Sequence, residues 1–254
     1  MKFTVLGSGT STGVPLVGCP CETCRSEDPR DKRLRPSLLV ESATTTVVID
    51  TSADFRYQML RLGTRKIDGV VFTHHHFDHI GGFDDLRAFN FLLRKAMPIY
   101  LMEETMENLR RTFLYAFVDT GQKGGGVPVV EQNIIDKSAF TLGDIEFLPI
   151  PMMHGNIRVN GYRIGNFAYC TDTNFIFEES FELLHGLDVL ILDALRYDKH
   201  PTHFNVDEAT ACAKRIGAKQ TYFTHIAHNI LHADLERRLP HNIRLSYDGL
   251  VIEM

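Results

Sequence analysis

The segment Phe72-Thr73-His74-His75-His76-Phe77-Asp78-His79-Ile80-Gly81-Gly82 contains, in the form His74-x-His76-x-Asp78-His79, three imidazoles and a carboxylate within six residues. A β-branched run precedes it and the helical pattern Asp84–Leu93 follows. The segment is therefore expected at the carboxyl end of a strand, where α/β folds place their chemistry. In a tight loop alternate residues point to one side. His74 and His76 can then share one metal ion while Asp78 and His79 turn toward a second.

Further along the chain the pattern recurs. His154 closes the strand-like run Ile145–Met153, Asp172 closes Phe167–Thr171 and His225 closes Thr221–Thr224. Four separate strands thus deliver a metal-competent side chain at the same end. Asp50 and Asp193 also end apolar strands. They suit either hydrogen bonding to the imidazoles, which fixes tautomers, or buried caps and turns.

Short β-rich runs at Phe3–Leu6, Ser37–Val40, Thr45–Ile49, Val70–Thr73, Ile145–Ile150, Phe167–Cys170, Val189–Leu192 and Thr221–Thr224 alternate with helical patterns. Residues 54–62, Asp84–Leu93 and Thr105–Phe117 read as amphipathic helices. Val206–Ile216 is the clearest, with Asn205 and Glu208 forming a capping box and Gly217 at the carboxyl cap. Gly121–Pro128 reads as a mobile glycine-rich loop. Strands outnumber helices, which predicts sheets with helices packed outside. No repeat or linker divides the chain, so residues 1–254 are expected to form a single domain.

The 254 residues are 44% apolar and 23% charged, which excludes a disordered or fibrous chain. The formal charge of −5 argues against a nucleic-acid binder that relies on bulk positive charge. The first residues reach Gly7 too soon for a signal-peptide core, and Val189–Leu192 is closed by Asp193. A cytoplasmic protein with no membrane partner is expected.

Five cysteines is an odd number, and Cys19, Cys21 and Cys24 fall within six residues. Neighbours this close do not readily pair, so a metal is the better reading. Tetrahedral zinc needs a fourth ligand, and His228, three residues beyond His225, is the candidate. Cys170, in a strand, and Cys212, in a helix, read as core residues.

The His-x-His-x-Asp-His run, followed by a histidine, an aspartate and a histidine at strand ends, resembles the metallo-β-lactamase superfamily. That resemblance implies an α/β (α+β) fold, a four-layered αββα sandwich. It also implies that His74, His76 and His154 hold one divalent ion, that Asp78, His79 and His225 hold the other, and that Asp172 bridges them. Zinc and manganese both suit this set, and a structural zinc at Cys19, Cys21, Cys24 and His228 would be a third ion. Thr12-Gly13-Val14-Pro15 with the cysteine array and His225-x-x-His228 is similar to the PhnP group of phosphodiesterases, which hydrolyse cyclic ribose phosphates.

The expected activity is hydrolysis of a small phosphodiester by a hydroxide shared between two metals ~3.5–4 Å apart. His203, in a loop just before the capped helix, is expected to protonate the leaving group, and with Asp78 makes up the catalytic pair. His200 is its competitor. Three alternatives remain open: ribonuclease Z-like tRNA cleavage, acyl ester or thioester hydrolysis, and a PqqB-like metal-binding protein without hydrolysis. Arg25–Arg35 carries a net charge of only +2, so it reads as a solvated loop and nucleic acid is not the expected partner. Apolar residues at Phe89–Leu93 and Phe113–Phe117 fit buried helix faces or, as the alternative, a homodimer surface.

Overall fold

The computed structural model describes residues 1–119, 121 and 126–254. Residues 122–125, within the expected loop Gly121–Pro128, lie outside the described set. Two mixed sheets form the centre. In the first the order is Val251–Glu253, Lys2–Gly7, Ser37–Glu41, Thr46–Ile49, Gly69–Val71, Met97–Leu101 and Val130–Ile134. The second runs Phe175–Ile176, Ile145–His154, Ile157–Ile164, Phe167–Cys170, Val189–Asp193, Gln220–Thr224 and Ile243–Leu245, with Phe140–Leu142 paired beside Ile145–His154.

Each sheet begins antiparallel and becomes parallel. Thr46–Ile49, Gly69–Val71, Met97–Leu101 and Val130–Ile134 run parallel to one another, as do Phe167–Cys170, Val189–Asp193, Gln220–Thr224 and Ile243–Leu245. Parallel strands are covered on both faces and read as unbroken apolar runs. Val189–Asp193 is buried throughout.

Three apolar clusters separate four layers. Phe3, Val40, Ile49, Phe147, Tyr169 and Ile191 fill the space between the sheets. Phe55, Met59, Phe89 and Leu109 seat helices on the first sheet. Ala209, Cys212 and Ile216 seat helix Val206–Ile216 on the second, where Cys170 and Cys212 share one core as expected. The fold is the αββα sandwich. Among the described residues no helix is long and apolar enough to cross a membrane.

Helix Val206–Ile216 has the anticipated ends. Asn205 Oδ1 accepts from Glu208 N at 2.8 Å, Glu208 Oε2 accepts from Asn205 N at 3.1 Å, and Gly217 is left-handed at φ 72°. Other elements depart from expectation. The predicted helix Thr105–Phe117 is two helices, Glu103–Thr112 and Leu114–Phe117. The chain breaks at Phe113, whose buried ring packs 5.0 Å from that of Phe83. Strand Gly69–Val71 stops short of Thr73, because Thr73 N and Oγ1 both donate to Asp50, at 2.8 Å each, instead of to a neighbouring strand.

The amino-terminal strand passes into a segment that stitches the sheets together. Thr10 N donates to Ile226 O at 3.1 Å and Ile226 N to Ser8 O at 3.0 Å. Gly7 permits this course, since a Cβ there would lie 1.9 Å from Arg35 O. Behind it Arg33 is 2% exposed. Its Nη1 donates to Ser8 Oγ and Ser246 O, and its Nη2 to His232 Nδ1 at 3.0 Å. Burial, then the Arg33 charge, pushes His232 down to about 4. The imidazole is therefore the neutral acceptor that this hydrogen bond requires.

Phe3 and Phe167 stack at 3.8 Å and tie the two sheets through their shared core. Phe167→Ala removes a fully buried ring and is expected to lower unfolding free energy by about 3–5 kcal/mol. Urea unfolding followed by circular dichroism measures this, and a loss below about 1 kcal/mol would contradict the assigned packing.

Candidate metal centre

The sandwich brings its chemistry to one edge. Asp50, His74, Asp172, Asp193 and His225 all lie at the carboxyl ends of parallel strands, and His154 ends a long strand running the same way. Asp50, Asp172 and His225 adopt left-handed backbone with φ of 64°, 53° and 62°. Non-glycine residues rarely do so, and the strain of order 1–3 kcal/mol each is found mostly at functional sites.

Two groups of side chains converge there. His74, His76 and His154 bring one ring nitrogen each within 4.8 Å of the others. Asp78, His79, Asp172 and His225 form a second group of the same tightness. Asp172 lies between them. Its Oδ1 is 3.2 Å from His79 Nε2, and its Oδ2 is 3.2 Å from His225 Nε2 and 4.0 Å from His74 Nε2. Asp78 Oδ2 is 3.4 Å from both His79 Nε2 and His225 Nε2.

Hydrogen bonds from behind turn the imidazoles inward. His79 Nδ1 donates to Asp50 Oδ2 at 2.7 Å, and His154 Nδ1 donates to Thr202 O at 2.7 Å. Each leaves Nε2 facing the cluster, the atom that a metal would take. Asp50 therefore fills both roles left open by the sequence, since it also caps the Thr73 N–H. Nothing in the sequence pointed to the Thr202 carbonyl, because a backbone acceptor carries no residue signature.

The charge distribution is uneven. Burial, reinforced by neighbouring imidazoles, holds His74 well below its usual pKa and His76 at about 4, so this triad is neutral. Burial alone would also depress His79 and His225. The surrounding carboxylates, Asp172 foremost, outweigh it, keeping His79 well above its usual range and His225 at about 10. The carboxylates thus require positive charge beside them. His74 Nε2 and His79 Nε2 are buried without a hydrogen-bond partner, which costs about 1–3 kcal/mol per group unless something binds there. Orphaned imidazole nitrogens around a carboxylate that borders both groups fit two divalent cations, zinc or manganese by donor type.

His203 is 7% exposed and closes the site from the following loop. Its Nδ1 donates to Asp193 Oδ2 at 3.1 Å, and its ring lies over that of His225 at 4.6 Å and beside His154 at 4.4 Å. A ring nitrogen of His203 comes within 4.8 Å of the ligand atoms of His154 and Asp172. His200 is half-buried, its Nδ1 lies 3.2 Å from the Thr202 hydroxyl, and its ring is 5.1 Å from that of His203. Of the two candidates, His203 is the one grouped with the other site residues.

The second predicted site is also assembled. Cys19, Cys21, Cys24 and His228 bring their ligand atoms within 4.8 Å of one another. His228 Nδ1 is 3.5 Å from Cys19 Sγ and 3.4 Å from Cys21 Sγ. The hydrogen bond to His228, followed by that from the Cys24 backbone, lowers Cys21 to about 6, while burial raises Cys24 to about 11. Four soft donors at one point fit a tetrahedral zinc.

A family model described as a β-lactamase superfamily domain matches residues 45–226, which include both active-site groups. The chain belongs to the β-lactamase superfamily. Among solved structures this superfamily chain matches a diphosphatase from the PhnP family at TM-score 0.93 and 44% identity, over 100% of this chain and 96% of that one. It also matches Zn(2+)-bound PqqB from Methylobacterium extorquens at TM-score 0.79 and 18% identity, with both chains fully covered. The latter likeness shows the fold alone. Among curated proteins it is 38% identical over 254 residues to an octanoyltransferase of Porphyromonas gingivalis, covering 98% of this chain and 51% of that protein. The chain therefore spans about half the length of this relative. The metallo-β-lactamase fold and the likeness to the PhnP family are as the motifs implied, and the superfamily is one of metal-dependent hydrolases.

Asp50→Asn keeps the size of the side chain but weakens its hold on His79. Affinity for the more weakly held of the active-site ions is expected to fall about 10–100-fold, as read by chelator competition. Elemental analysis of the purified chain is expected to find three ions. Cys21→Ser should leave two, and an unchanged count in that variant would remove the cysteine site.

Proposed function

We propose that the chain hydrolyses a phosphorus–oxygen bond in a small phosphodiester, the diphosphate linkage being the closely related case. The observation that carries this reading is Asp172 set between two imidazole groups, with His203 held by Asp193 against both. A pair of divalent cations at such a site lowers the pKa of water and neutralises charge on phosphate oxygens. His74, His76 and His154 would hold one ion, Asp78, His79 and His225 the other, and Asp172 both.

The remaining work falls to the chain itself. Asp193 accepts the Nδ1 proton of His203, so Nε2 is the atom that carries a proton toward the departing oxygen. Asp193 Oδ2 also accepts from Thr173 N at 3.2 Å and Phe204 N at 3.3 Å. These bonds fix the carboxylate, and through it the imidazole plane. The PhnP-family diphosphatase, similar over the whole chain, supports phosphorus as the centre attacked.

RNA cleavage is the weaker reading. The basic residues of Arg25–Arg35 are mostly engaged within the protein. Arg30 pairs with Asp28 at 2.7 Å, Arg35 pairs with Asp54 at 3.0 Å, Lys32 donates to Cys24 O, and Arg33 is buried. Few remain to neutralise phosphates along a strand. A carrier without hydrolysis would have no use for a buried His–Asp pair behind the site.

His203→Ala is expected to retain its metals. It should lose about 10²–10⁴ in turnover of an alkyl phosphodiester and far less with a p-nitrophenolate leaving group, which departs without a proton. Equal losses on both substrates would remove His203 as the acid. The same panel carries an octanoyl thioester and a salt-titrated tRNA binding assay. Preference for the thioester, or tight salt-sensitive tRNA binding, would overturn the phosphodiester reading.

A further inference from the structure

A cavity of about 330 Å³ opens beside the metal-binding edge, between the ends of the two sheets. Met102, at the end of strand Met97–Leu101, and Ile135, after Val130–Ile134, line it from the first sheet. Met152 and Asn160 line it from the second, and Phe177 closes one side. None of its lining residues is a proposed metal ligand, and it adjoins the metal site through the backbone. Met152 stands two residues before His154 on the same strand, and Asn160 N donates to Thr73 O at 3.2 Å, the residue before His74. Arg158 sits opposite Met153, one register step from the His154–Ile157 pair.

The lining has a definite chemistry. Two methionines, an isoleucine and a phenylalanine give an apolar floor, and thioethers adapt to aromatic surfaces. Phe177 is braced by Phe175, whose ring is 5.3 Å away and nearly perpendicular. The lining carries two cationic residues, Arg158 and Lys137, and two anionic ones, Asp136 and Glu179, so its formal charge is zero. Asn160 is 5% exposed and supplies an amide deep in the wall. At the lower limit of ligand-pocket volumes, near 300 Å³, the space suits one compact organic group.

Building on the phosphodiester reading above, we infer that this cavity is a specificity subsite for an uncharged, flat organic substituent of the substrate, of aryl or nucleobase size. A second anionic group in that position gains no net attraction, because the formal charge of the lining is zero. Recognition of the phosphate is thereby separated from recognition of its substituent.

Metal-loaded protein with methyl-¹³C methionine provides reporters at Met102 and Met152, and controls at Met59 and Met97 in another core. Diphenyl phosphate is expected to move the Met102 and Met152 signals and to bind at least tenfold more tightly than dimethyl phosphate. Ile135→Trp, which fills the space from the loop, should abolish that difference. Equal affinity for the two diesters, shifts confined to Met59, or tighter binding of bis(4-carboxyphenyl) phosphate would each overturn the inference. The titration needs no turnover. Hydrolysis without shifts at Met102 and Met152 overturns the subsite and leaves the phosphodiester reading standing. Shifts at these methyls with no hydrolysis of any diester overturn that reading instead.

Discussion

The carboxylate of Asp172 is the constraint around which this fold is arranged. It is 1% exposed, on left-handed backbone, with Nε2 atoms of His79 and His225 each 3.2 Å away. An isolated buried carboxylate is prohibitively costly. It persists here because imidazoles from other strands surround it. The sheets must therefore deliver the ends of several strands to one point within a few ångströms. Parallel strands do this naturally, since all their carboxyl ends face one way. The strain at Asp50, Asp172 and His225 is sustained by apolar clusters on both sides of each sheet.

The site was more legible in the sequence than the fold was. Metal-binding side chains are few in kind, and His74-x-His76-x-Asp78-His79 leaves little room for another reading. Strand ends then picked out His154, Asp172 and His225, since each follows an unbroken apolar run. Several strands went unread, some only two or three residues long and others with an interrupted pattern. Met97–Leu101 carries Pro98, Val130–Ile134 contains Glu131, Gln132 and Asn133, and Ile157–Ile164 mixes Arg158, Asn160 and Arg163 with apolar residues. Thr105–Phe117 has helical periodicity from end to end. The break at Phe113 arises from where its ring is buried, which is tertiary information absent from a local window.

The cysteine loop illustrates a different kind of legibility. Three thiols within six residues announce a ligand set, yet the partner His228 is distant in sequence. What joins them is the segment Ser8–Thr10 bonded to Ile226, which brings the amino-terminal loop against the residues after His225. The buried Arg33, bonded to Ser8, Ser246 and His232, braces the same junction from behind. A metal at the four donors would fasten the chain's two ends together. Its fourth donor, His228, stands three residues from His225 of the other group.

Asp193 connects ligand and acid in a way that neither residue shows alone. Its Oδ2 takes the His203 proton donor at 3.1 Å, while its Oδ1 lies 3.9 Å from His225 Nδ1. Both Oδ1 and that Nδ1 are buried with no hydrogen-bond partner. A closing movement of under an ångström would join them. A cation held by His225 Nε2 would favour the tautomer with a proton on Nδ1, which is the donor this contact requires. One carboxylate would then orient a metal ligand and the general acid together, and the two imidazoles already lie face to face at 4.6 Å. In such an arrangement a cation at His225 and the orientation of His203 would be coupled through Asp193, although His203 itself is not among the residues that would hold the cation.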